Sequence, residues 1–381
     1  MATSEEAAGQ DAGSSGITLH KILAYAVKYG ASDIHLKVPR PPAVRIDGVI
    51  RFIGDTPLTQ DDMLRFLDDI LTPEQKARFL EVGDADCALG VPGLGRFRVN
   101  CLKQRGTVGI VLRHVKGKAP NFDMLNLPEA SMMKIVEMRR GLVLVTGTTG
   151  SGKSTTLAAI IDKINQTRPD HIVTLEDPIE FLHTDKRSSI TQREVSIDTR
   201  DFKTALRAVM REDPDVILIG EMRDNETFQA CISAAETGHL VFSTLHTTNA
   251  MMTIDRILDL FPAEQHQQVR SQLALQLRAL VAQRLVPSAD GKGRVPAVEV
   301  MFNTPAIAAL IRENQLKLIG NAIAGGKEDG MQTFNMSLVD LVNRKLIRQE
   351  DAELASDNPD ELKMNLQGIY LSQGRGGILK R

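Results

Sequence analysis

The sequence predicts an α/β protein: an N-terminal α+β domain, then a phosphate-loop core with a parallel sheet and a helical C-terminal part. Three observations lead to this fold class. A glycine-rich loop follows an apolar run within 141–157, four short apolar runs end near residues 145, 175, 219 and 245, and strand-like alternation precedes residue 115. Helical segments separate the four apolar runs, which is typical of a parallel sheet with crossover helices.

The glycine-rich loop is the most specific motif in the chain. The run Leu142–Val145 has the composition of a buried parallel strand, and Gly147–Ser154 then matches G-x-x-x-x-G-K-[ST] in full. Glycines allow backbone N–H groups to turn inward around nucleotide phosphates, in space that a β-carbon would fill. The predicted nucleotide-binding residues are Gly147, Thr148, Thr149, Gly150, Ser151, Gly152, Lys153, Ser154 and Thr155.

Two side chains and a helix complete the predicted phosphate site. We expect Lys153 to reach the terminal phosphates and the Ser154 hydroxyl to bind Mg²⁺. The helix predicted over 154–165 would direct the positive end of its dipole towards the anion.

Composition limits what this loop can serve. The chain has 381 residues, enough for two or three domains, and its 46 Lys plus Arg against 48 Asp plus Glu provide no positive field for nucleic acid. The three cysteines, at 87, 101 and 231, lack paired or metal-like spacing and are expected to be reduced core residues. Neither a membrane span nor a signal peptide is evident, so we expect a soluble protein inside the cell.

The residues before the core predict a tail, a small domain and a linker. Residues 1–16 are acidic and rich in small side chains, which indicates a flexible tail. The N-terminal domain is expected over 17–115, with Asp47-Gly48 as the turn of its first hairpin. Residues 116–128 carry two prolines and little periodicity, and are predicted to link this domain to an ATPase core at 129–355.

A second hairpin in the N-terminal domain carries arginines. On its first strand Phe97, Val99 and Cys101 share one face, Arg96, Arg98 and Asn100 share the other, and Arg113 ends the second strand. Such arginines usually form a solvated surface. A nucleotide site elsewhere in the chain offers an alternative, because arginine is the side chain best suited to bring positive charge to phosphates.

Acidic and histidine residues follow the predicted core strands. Glu176, Asp177 and Glu180 follow one strand, Glu221 follows the next, and His246 follows the last, so all are expected at the edge where ligands bind parallel sheets. Asp215 and His239 precede their strands and are expected in turns. The two histidines would lie about 20 Å apart across their strand, too far to share a metal ion.

The C-terminal part is predicted to be mostly helical up to about Gln367. Its clearest signal is an amphipathic helix marked by Val269, Leu273, Leu277, Leu280 and Val281. The last residues, including Gly374–Gly377 and Lys380-Arg381, have the composition of a basic flexible tail.

Taken together, these motifs resemble those of the PilT/PilU-type ATPases, the type IV pilus retraction motors of the secretion ATPase superfamily. GLVLVTGTTGSGKSTTLAA is similar to the Walker A segment of that family, TLEDPIEF to its acidic box, REDPDVILIGEMRD to its Walker B segment and TGHLVFSTLHT to its histidine box. The resemblance implies a PAS-like N-terminal domain, a RecA-like P-loop core and a ring of six subunits.

The resemblance also implies roles for individual residues. Glu180 would be the general base, Glu221 the Mg²⁺-linked Walker B carboxylate, and His246 the phosphate-side histidine. Arg98 and Arg113, with Arg96 as a third candidate, match N-terminal-domain arginines that approach ATP phosphates. ATP and Mg²⁺ are the implied cofactors.

The family also suggests the partners and the location of the protein. A homohexamer would act on an inner-membrane pilus platform protein, with a paralogous retraction ATPase as a further partner and without nucleic acid. It would be cytoplasmic and would associate with the inner membrane through protein contacts alone.

The sequence departs from the family pattern in two places. The retraction motors typically carry AIRNLIRE where this chain has Ala306–Glu313, AIAALIRE, and residues 356–381 extend the C-terminus as in PilU-type motors. A PilU-like accessory motor or a weakly hydrolysing scaffold subunit therefore stays open. So does a pilus assembly or type II secretion ATPase, although the four-cysteine zinc module of such relatives is missing. A RecA-like DNA motor would lack stacking residues, since only 4% of residues are aromatic.

Overall fold

The computed structural model of the chain describes residues 16–46, 48–115, 117 and 119–369. The predicted N-terminal tail up to residue 15, Asp47 of the predicted turn, Lys116 and Lys118 of the predicted linker, and the basic tail from 370 onwards lie outside the described residues. The chain divides into two units after Gly117.

In its described residues, the first unit contains a six-stranded antiparallel sheet and three helices. The strand order is β3-β2-β1-β6-β5-β4. The strands are β1 (Asp33–Lys37), β2 (Ala43–Ile46), β3 (Val49–Phe52), β4 (Asp84–Val91), β5 (Gly95–Gln104) and β6 (Thr107–His114). The helices are α1 (Leu19–Lys28), α2 (Gln60–Ile70) and α3 (Pro73–Val82).

Alternation along β5 forms part of the core of this unit. Phe97, Val99 and Cys101 are fully buried, as the period of two predicts. Burial raises the pKa of the Cys101 thiol to about 12. Cys101, Cys87 and Cys231 are all free and buried, which confirms the prediction of reduced core residues.

The second unit is built on a seven-stranded sheet of order β13-β12-β7-β11-β10-β8-β9. All neighbouring strands are parallel except the β12–β13 hairpin. The strands are β7 (Gly141–Thr146), β8 (His171–Glu176), β9 (Ser189–Glu194), β10 (Val216–Ile219), β11 (Leu240–Leu245), β12 (Leu277–Pro287) and β13 (Arg294–Phe302). The four predicted core strands, β7, β8, β10 and β11, are therefore confirmed.

Helices pack around this sheet, and the part of this unit that the structure describes also has three short 3₁₀ turns. The helices are α4 (Glu129–Glu137), α5 (Lys153–Thr167), α6 (Phe202–Val209), α7 (Asn225–Glu236), α8 (Ala250–Leu258), α9 (His266–Gln276), α10 (Pro305–Arg312), α11 (Ile319–Gly325), α12 (Phe334–Asn343), α13 (Gln349–Ala355) and α14 (Pro359–Leu366). No helix in the described part of the chain combines the length and the apolar character that crossing a membrane requires.

The predicted amphipathic helix through Leu277, Leu280 and Val281 is wrong. Helix α9 ends at Gln276, and β12 begins at the next residue. Residues 279–283 are consecutively buried because the strand lies between β7 and β13 and is covered on both faces. A strand buried on both faces loses its alternation, so its apolar residues matched a helical spacing by chance.

Three other strands were not predicted. β13 lies in the part that was expected to be mostly helical, so that expectation fails for both strands of the β12–β13 hairpin. The other two strands, β4 and β9, have little apolar character. β4, with the sequence DADCALGV, contains acidic and small residues, and β9, with the sequence SITQRE, is largely polar. Each is the last strand at one edge of its sheet. An edge strand is partly solvated and needs fewer apolar side chains than a central strand.

Arg284 of β12 connects the sheet to the C-terminal helices. Its guanidinium donates to both carboxylate oxygens of Asp357 at 3.0 and 2.8 Å, and to the carbonyl oxygen of Ala355 at 2.6 Å. It also lies 3.9 Å from the centre of the Phe334 ring and donates to the Thr248 carbonyl oxygen at 3.4 Å. Bidentate pairing combined with ring stacking suits arginine and no other side chain.

Glu299 of β13 is a buried carboxylate beside this arginine. Its Oε1 accepts a hydrogen bond from the backbone N–H of Ala250, the first residue of α8, at 2.8 Å. Burial raises the pKa of Glu299 to about 7, and although the hydrogen bond from Ala250 and the charge of Arg284 act against this, the charge of Asp357 adds to it. Ionisation of Glu299 therefore opposes folding.

We expect the Glu299→Gln variant to be more stable than the wild type above neutral pH. The folded-state pKa of Glu299 is higher than its ordinary value of 4.5, so the destabilisation is absent below about pH 4.5 and grows as the pH rises to about 7. At pH 8 the gain in unfolding free energy should be on the order of 1–3 kcal/mol. Denaturant unfolding at pH 5 and pH 8 measures it.

The exposed Glu137→Gln variant controls for the loss of one negative charge in the same unit. A Glu299→Gln variant whose stability relative to the wild type does not change between pH 5 and pH 8 would contradict this account of the buried carboxylate.

Candidate active site

The phosphate loop joins the buried strand β7 to helix α5, and its path depends on glycine. Gly147, Gly150 and Gly152 have φ angles of 148°, 76° and 92°, which other residues adopt only with strain. A β-carbon at Gly147 would lie 2.3 Å from the carbonyl oxygen of Gln283, and one at Gly152 would lie 2.7 Å from Gln283 Nε2. Close packing as well as conformation therefore requires glycine at these two positions.

Lys153 is the first residue of α5, and its side chain turns back along the loop. Its Nζ donates to the carbonyl oxygens of Gly147 at 2.8 Å and Thr148 at 3.1 Å. Burial lowers the pKa of the Lys153 ammonium, and the charges of Glu221 and Glu180 act in the opposite direction. The ammonium is thus anchored in the loop and feels two carboxylates.

The carboxylates that follow β8 have different surroundings. Glu176 Oε1 accepts hydrogen bonds from Thr174 Oγ1 at 2.7 Å and Gln192 Nε2 at 3.1 Å, and burial raises the pKa of Glu176 in spite of them. Its Oε2 accepts a hydrogen bond from the backbone N–H of Glu180 at 3.4 Å. Glu176 thus stabilises the turn, whereas Glu180 is exposed and accessible to a ligand.

Glu221 follows β10 and lies between a guanidinium and an imidazole. Its Oε2 accepts a hydrogen bond from Arg223 Nε at 2.7 Å, and its Oε1 lies 3.2 Å from His246 Nε2. The hydrogen bond with Glu221 raises the pKa of Arg223. Parallel pairing of Ile219 with Ser243 brings the ends of β10 and β11 to one edge, which explains why Glu221 and His246 meet.

His239 and Asp215 lie at the opposite edge of the sheet. His239 Nδ1 is 2.9 Å from the carbonyl oxygen of Ala234, and Asp215 Oδ2 accepts a hydrogen bond from the backbone N–H of His171 at 2.8 Å. Both side chains serve turns that precede strands, as their positions in the sequence predict.

One cavity of about 430 Å³ brings most of these groups together. Its lining includes residues 149–155 of the loop and helix, Glu180, Glu221 and His246. Gly147 and Thr148 contribute through their carbonyl oxygens, which position Lys153. The volume falls in the range of small-molecule sites, roughly 300–1,000 Å³, and positive and negative groups face each other across it.

Sequence reasoning missed three side chains at or beside this cavity. Arg223, the partner of Glu221, was recognised only as part of a motif. Arg294 lines the cavity from the hairpin, and Gln283 contacts Ser151 of the loop and Thr156 of α5. The helical interpretation of 277–287 concealed Gln283, and the contact itself depends on the pairing of β12 with β7.

The predicted arginines belong to the first unit. Arg98 of β5 and Arg113 of β6 are direct cross-strand partners, Asp33 of β1 is the next partner of Arg113, and Arg96 lies on the same strand as Arg98. Arg113 Nε donates to Asp33 Oδ1 at 2.8 Å. Burial acts to raise the pKa of Asp33, but hydrogen bonds, above all from Arg113, lower it. The Arg113 side chain is nevertheless 67% exposed.

Comparison with known proteins identifies the family. The family model described as type II/IV secretion system protein matches residues 9–357. The chain belongs to this family.

Two curated relatives within the type II/IV secretion family match over almost their whole length. The type IV pilus retraction ATPase PilT of Pseudomonas aeruginosa is 46% identical over 340 residues, which cover 89% of this chain and 98% of that protein. The type IV pilus ATPase PilU of the same organism is 40% identical over 347 residues, which cover 91% of each.

A solved structure from the same group supports the fold directly. The crystal structure of the pilus retraction motor PilT with bound ADP matches with a TM-score of 0.83 and 46% identity, and covers 91% of this chain and 99% of that chain. The predicted two-part α/β fold and the predicted resemblance to these secretion ATPases are thereby confirmed.

The chemistry of the site in this family member fits a nucleotide with Mg²⁺. Ser151 Oγ is buried without a hydrogen-bond partner among the described residues, so the loop has a hydroxyl to offer a phosphate. The Ser154 hydroxyl and the Glu221 carboxylate are the oxygen ligands that Mg²⁺ prefers. The described residues contain no cluster of three His, Cys, Asp or Glu that could bind a metal.

We expect Gly147→Ala to damage the phosphate loop more than Gly150→Ala. At Gly147 the new methyl group would collide with the Gln283 carbonyl oxygen, whereas at Gly150 it has open space and only the positive φ opposes it. Overpacking and strain together should cost about 2–4 kcal/mol at Gly147, against about 1 kcal/mol at Gly150. Denaturant unfolding of the two variants measures the difference.

The Gly150→Ala variant serves as the matched control, because both changes add one methyl group to the same loop. Equal destabilisation of the two variants would show that packing against Gln283 is not the constraint at Gly147.

Proposed function

We propose that this protein is a hexameric, ATP-hydrolysing motor that powers type IV pilus retraction and hence twitching motility. The observation that carries the proposal is the meeting of the phosphate loop, Glu180, Glu221 and His246 in one cavity. Its supporting context is a chain that matches the retraction ATPase PilT almost from end to end. A cavity that combines a phosphate cradle with free and paired carboxylates suits hydrolysis better than binding alone.

Binding would begin at the phosphate loop. Backbone N–H groups of 148–154 and the N-terminus of α5 attract the phosphates, and the Lys153 ammonium moves from loop carbonyls to the terminal phosphates. Ser154 and Glu221 would hold Mg²⁺, directly or through water, and the ion would neutralise phosphate charge. Arg223 and His246, which both contact Glu221, fix the orientation of its carboxylate.

Hydrolysis would depend on Glu180. Its carboxylate lines the cavity and is exposed, so it can accept a proton from an attacking water and orient that water towards the γ-phosphate. His246 would donate a hydrogen bond to the same phosphate. The products are ADP and inorganic phosphate.

Arginines of the N-terminal domain would stabilise the charge that develops on the phosphates. Arg98 and Arg113 are neighbours across β5 and β6, and the pairing of Arg113 with Asp33 orients its guanidinium. Rotation of the N-terminal domain during the ATP cycle would bring this charge to the site and convert hydrolysis into force.

The motor would work at the base of a pilus. We propose that it is cytoplasmic, binds an inner-membrane platform protein of the pilus, and reaches the membrane only through such protein contacts. A paralogous retraction ATPase is a further proposed partner, and nucleic acid is not, since the charges of the chain nearly balance.

We expect Glu180→Gln to abolish ATP hydrolysis while ADP and ATP still bind. The amide cannot accept the proton from water, so kcat should fall by roughly a hundredfold or more, whereas the phosphate loop is unchanged. Steady-state phosphate release by the purified protein, with nucleotide affinity and subunit mass measured alongside, provides the test.

The exposed Glu264→Gln variant of the same unit is the matched control and should hydrolyse ATP like the wild type. A Glu180→Gln variant that hydrolyses ATP at the wild-type rate would show that Glu180 is not the general base. A folded wild-type hexamer that binds ATP without hydrolysing it would exclude the motor.

We expect Arg98→Gln to lower kcat by roughly a hundredfold with little change in ADP affinity, because its charge is needed most as the transition state forms. Arg113→Gln should act similarly, but it also removes one of the hydrogen bonds to the buried Asp33, which keeps that from Ser32 Oγ, so its thermal unfolding must be recorded together with its kinetics.

The exposed Arg51→Gln on β3 removes an equivalent charge from the same unit and should leave kcat unchanged. Equal loss of activity in Arg51→Gln and Arg98→Gln would indicate a general effect of positive charge and would contradict a specific role.

An accessory motor of the PilU type is the second candidate. PilU matches 91% of this chain. In α10, Ala308 and Ala309 are half-buried at positions where the retraction motors typically have polar residues, while Ile307 and Ile311 are fully buried. The extension after Ala355 forms α14, whose Leu362 is buried.

Complementation distinguishes the two candidates. In a piliated host that lacks both of its retraction ATPases, a primary motor restores twitching by itself. An accessory motor restores it only when the other ATPase is also present.

A further inference from the structure

Gln283 lies at the point where β12 passes the phosphate loop. In the parallel pairing of β12 with β7, Ala282 is the partner of Thr146, so Gln283 comes level with Gly147, the first residue of the loop. Gln283 is only 4% exposed. A buried glutamine on a central strand must find hydrogen-bond partners, and its partners show what it does.

The side-chain amide of Gln283 joins two parts of the phosphate site. Its Nε2 donates to the carbonyl oxygen of Ser151 at 2.8 Å, and its Oε1 accepts a hydrogen bond from Thr156 Oγ1 at 2.7 Å. The Ser151 carbonyl can only accept, which fixes the orientation of the amide. One side chain therefore links the loop to the first turn of α5.

The backbone of Gln283 supports the loop as well. Its carbonyl oxygen lies so close to Gly147 that a β-carbon at that position would be only 2.3 Å from it. At Gly152 the side chain of Gln283 makes the close contact, since a β-carbon there would be 2.7 Å from Nε2. Gln283 therefore contacts the loop closely at Gly147, where the loop begins, and at Gly152, near its end. Movement of the loop away from Gln283 would break a buried hydrogen bond or open a gap.

We propose that Gln283 is a positioning residue that holds the phosphate loop in its binding conformation. This proposal rests on the proposed nucleotide site, because the loop is the part of that site that would bind the phosphates. Gln283 does not line the cavity itself and acts through Ser151 and Thr156. Because the same loop contacts the phosphates before and during hydrolysis, loss of the support should weaken substrate binding and transition-state binding alike.

The test compares Gln283→Met with Gln283→Glu. Methionine keeps the shape and loses both hydrogen bonds, and we expect roughly tenfold weaker ADP binding in the presence of Mg²⁺. The KM for ATP should rise in parallel with little change in kcat. Glutamate keeps the acceptor for Thr156 but turns an oxygen towards the Ser151 carbonyl, so it should weaken ADP binding further. Titration with a fluorescent ADP analogue measures the affinity.

Gln332→Met is the matched control. Gln332 is half-buried in the same unit, and its Nε2 donates to the carbonyl oxygen of Val298 at 2.9 Å. Val298 lies in β13, so this hydrogen bond does not involve the phosphate loop. Both methionine variants should unfold at lower temperature than the wild type, but only Gln283→Met should lose ADP affinity and raise the KM.

The outcomes separate this proposal from the proposed function. Wild-type ADP affinity in a folded Gln283→Met would overturn the positioning role alone. Equal losses of affinity in Gln283→Met and Gln332→Met would overturn it too, because general destabilisation would explain both. A wild-type protein that does not bind ADP at all would overturn the nucleotide site and this proposal together.

Discussion

Parallel alignment of the central strands is the constraint on which the second unit depends. Because β7, β8, β10 and β11 run in one direction, every segment that follows a strand emerges at the same edge of the sheet. The phosphate loop, the acidic turn, Glu221 and His246 are far apart in the sequence, yet one cavity collects them.

Charge balance at this edge follows from that alignment. The charges of Glu221 and Glu180 act on the Lys153 ammonium and favour its protonated form. Glu221 in turn is paired with Arg223 and lies beside His246. Lys153 and Glu221 thus each have an opposite charge or a hydrogen-bond partner close by, which reduces the cost of placing ionised groups in a cleft.

Much of this arrangement could be predicted from the sequence, because its signals are local. The strand, loop and helix around Gly147 follow one another directly, and the acidic and histidine residues stand immediately after apolar runs. The errors arose where the signal is not local. β12 is apolar on both faces and imitates a helix, β4 and β9 are edge strands with few apolar residues, and the role of Gln283 depends on a partner strand more than a hundred residues away. Strand order, which no short pattern encodes, decides all three.

The contacts of Arg284 connect the C-terminal helices mechanically to the central sheet. The Asp357 carboxylate and the Phe334 ring hold Arg284 from the C-terminal side, while the residue before it, Gln283, supports the phosphate loop. A displacement of these helices would therefore be transmitted to the phosphate loop along a single strand. The position of the C-terminal helices and the conformation of the phosphate loop would then be coupled through β12.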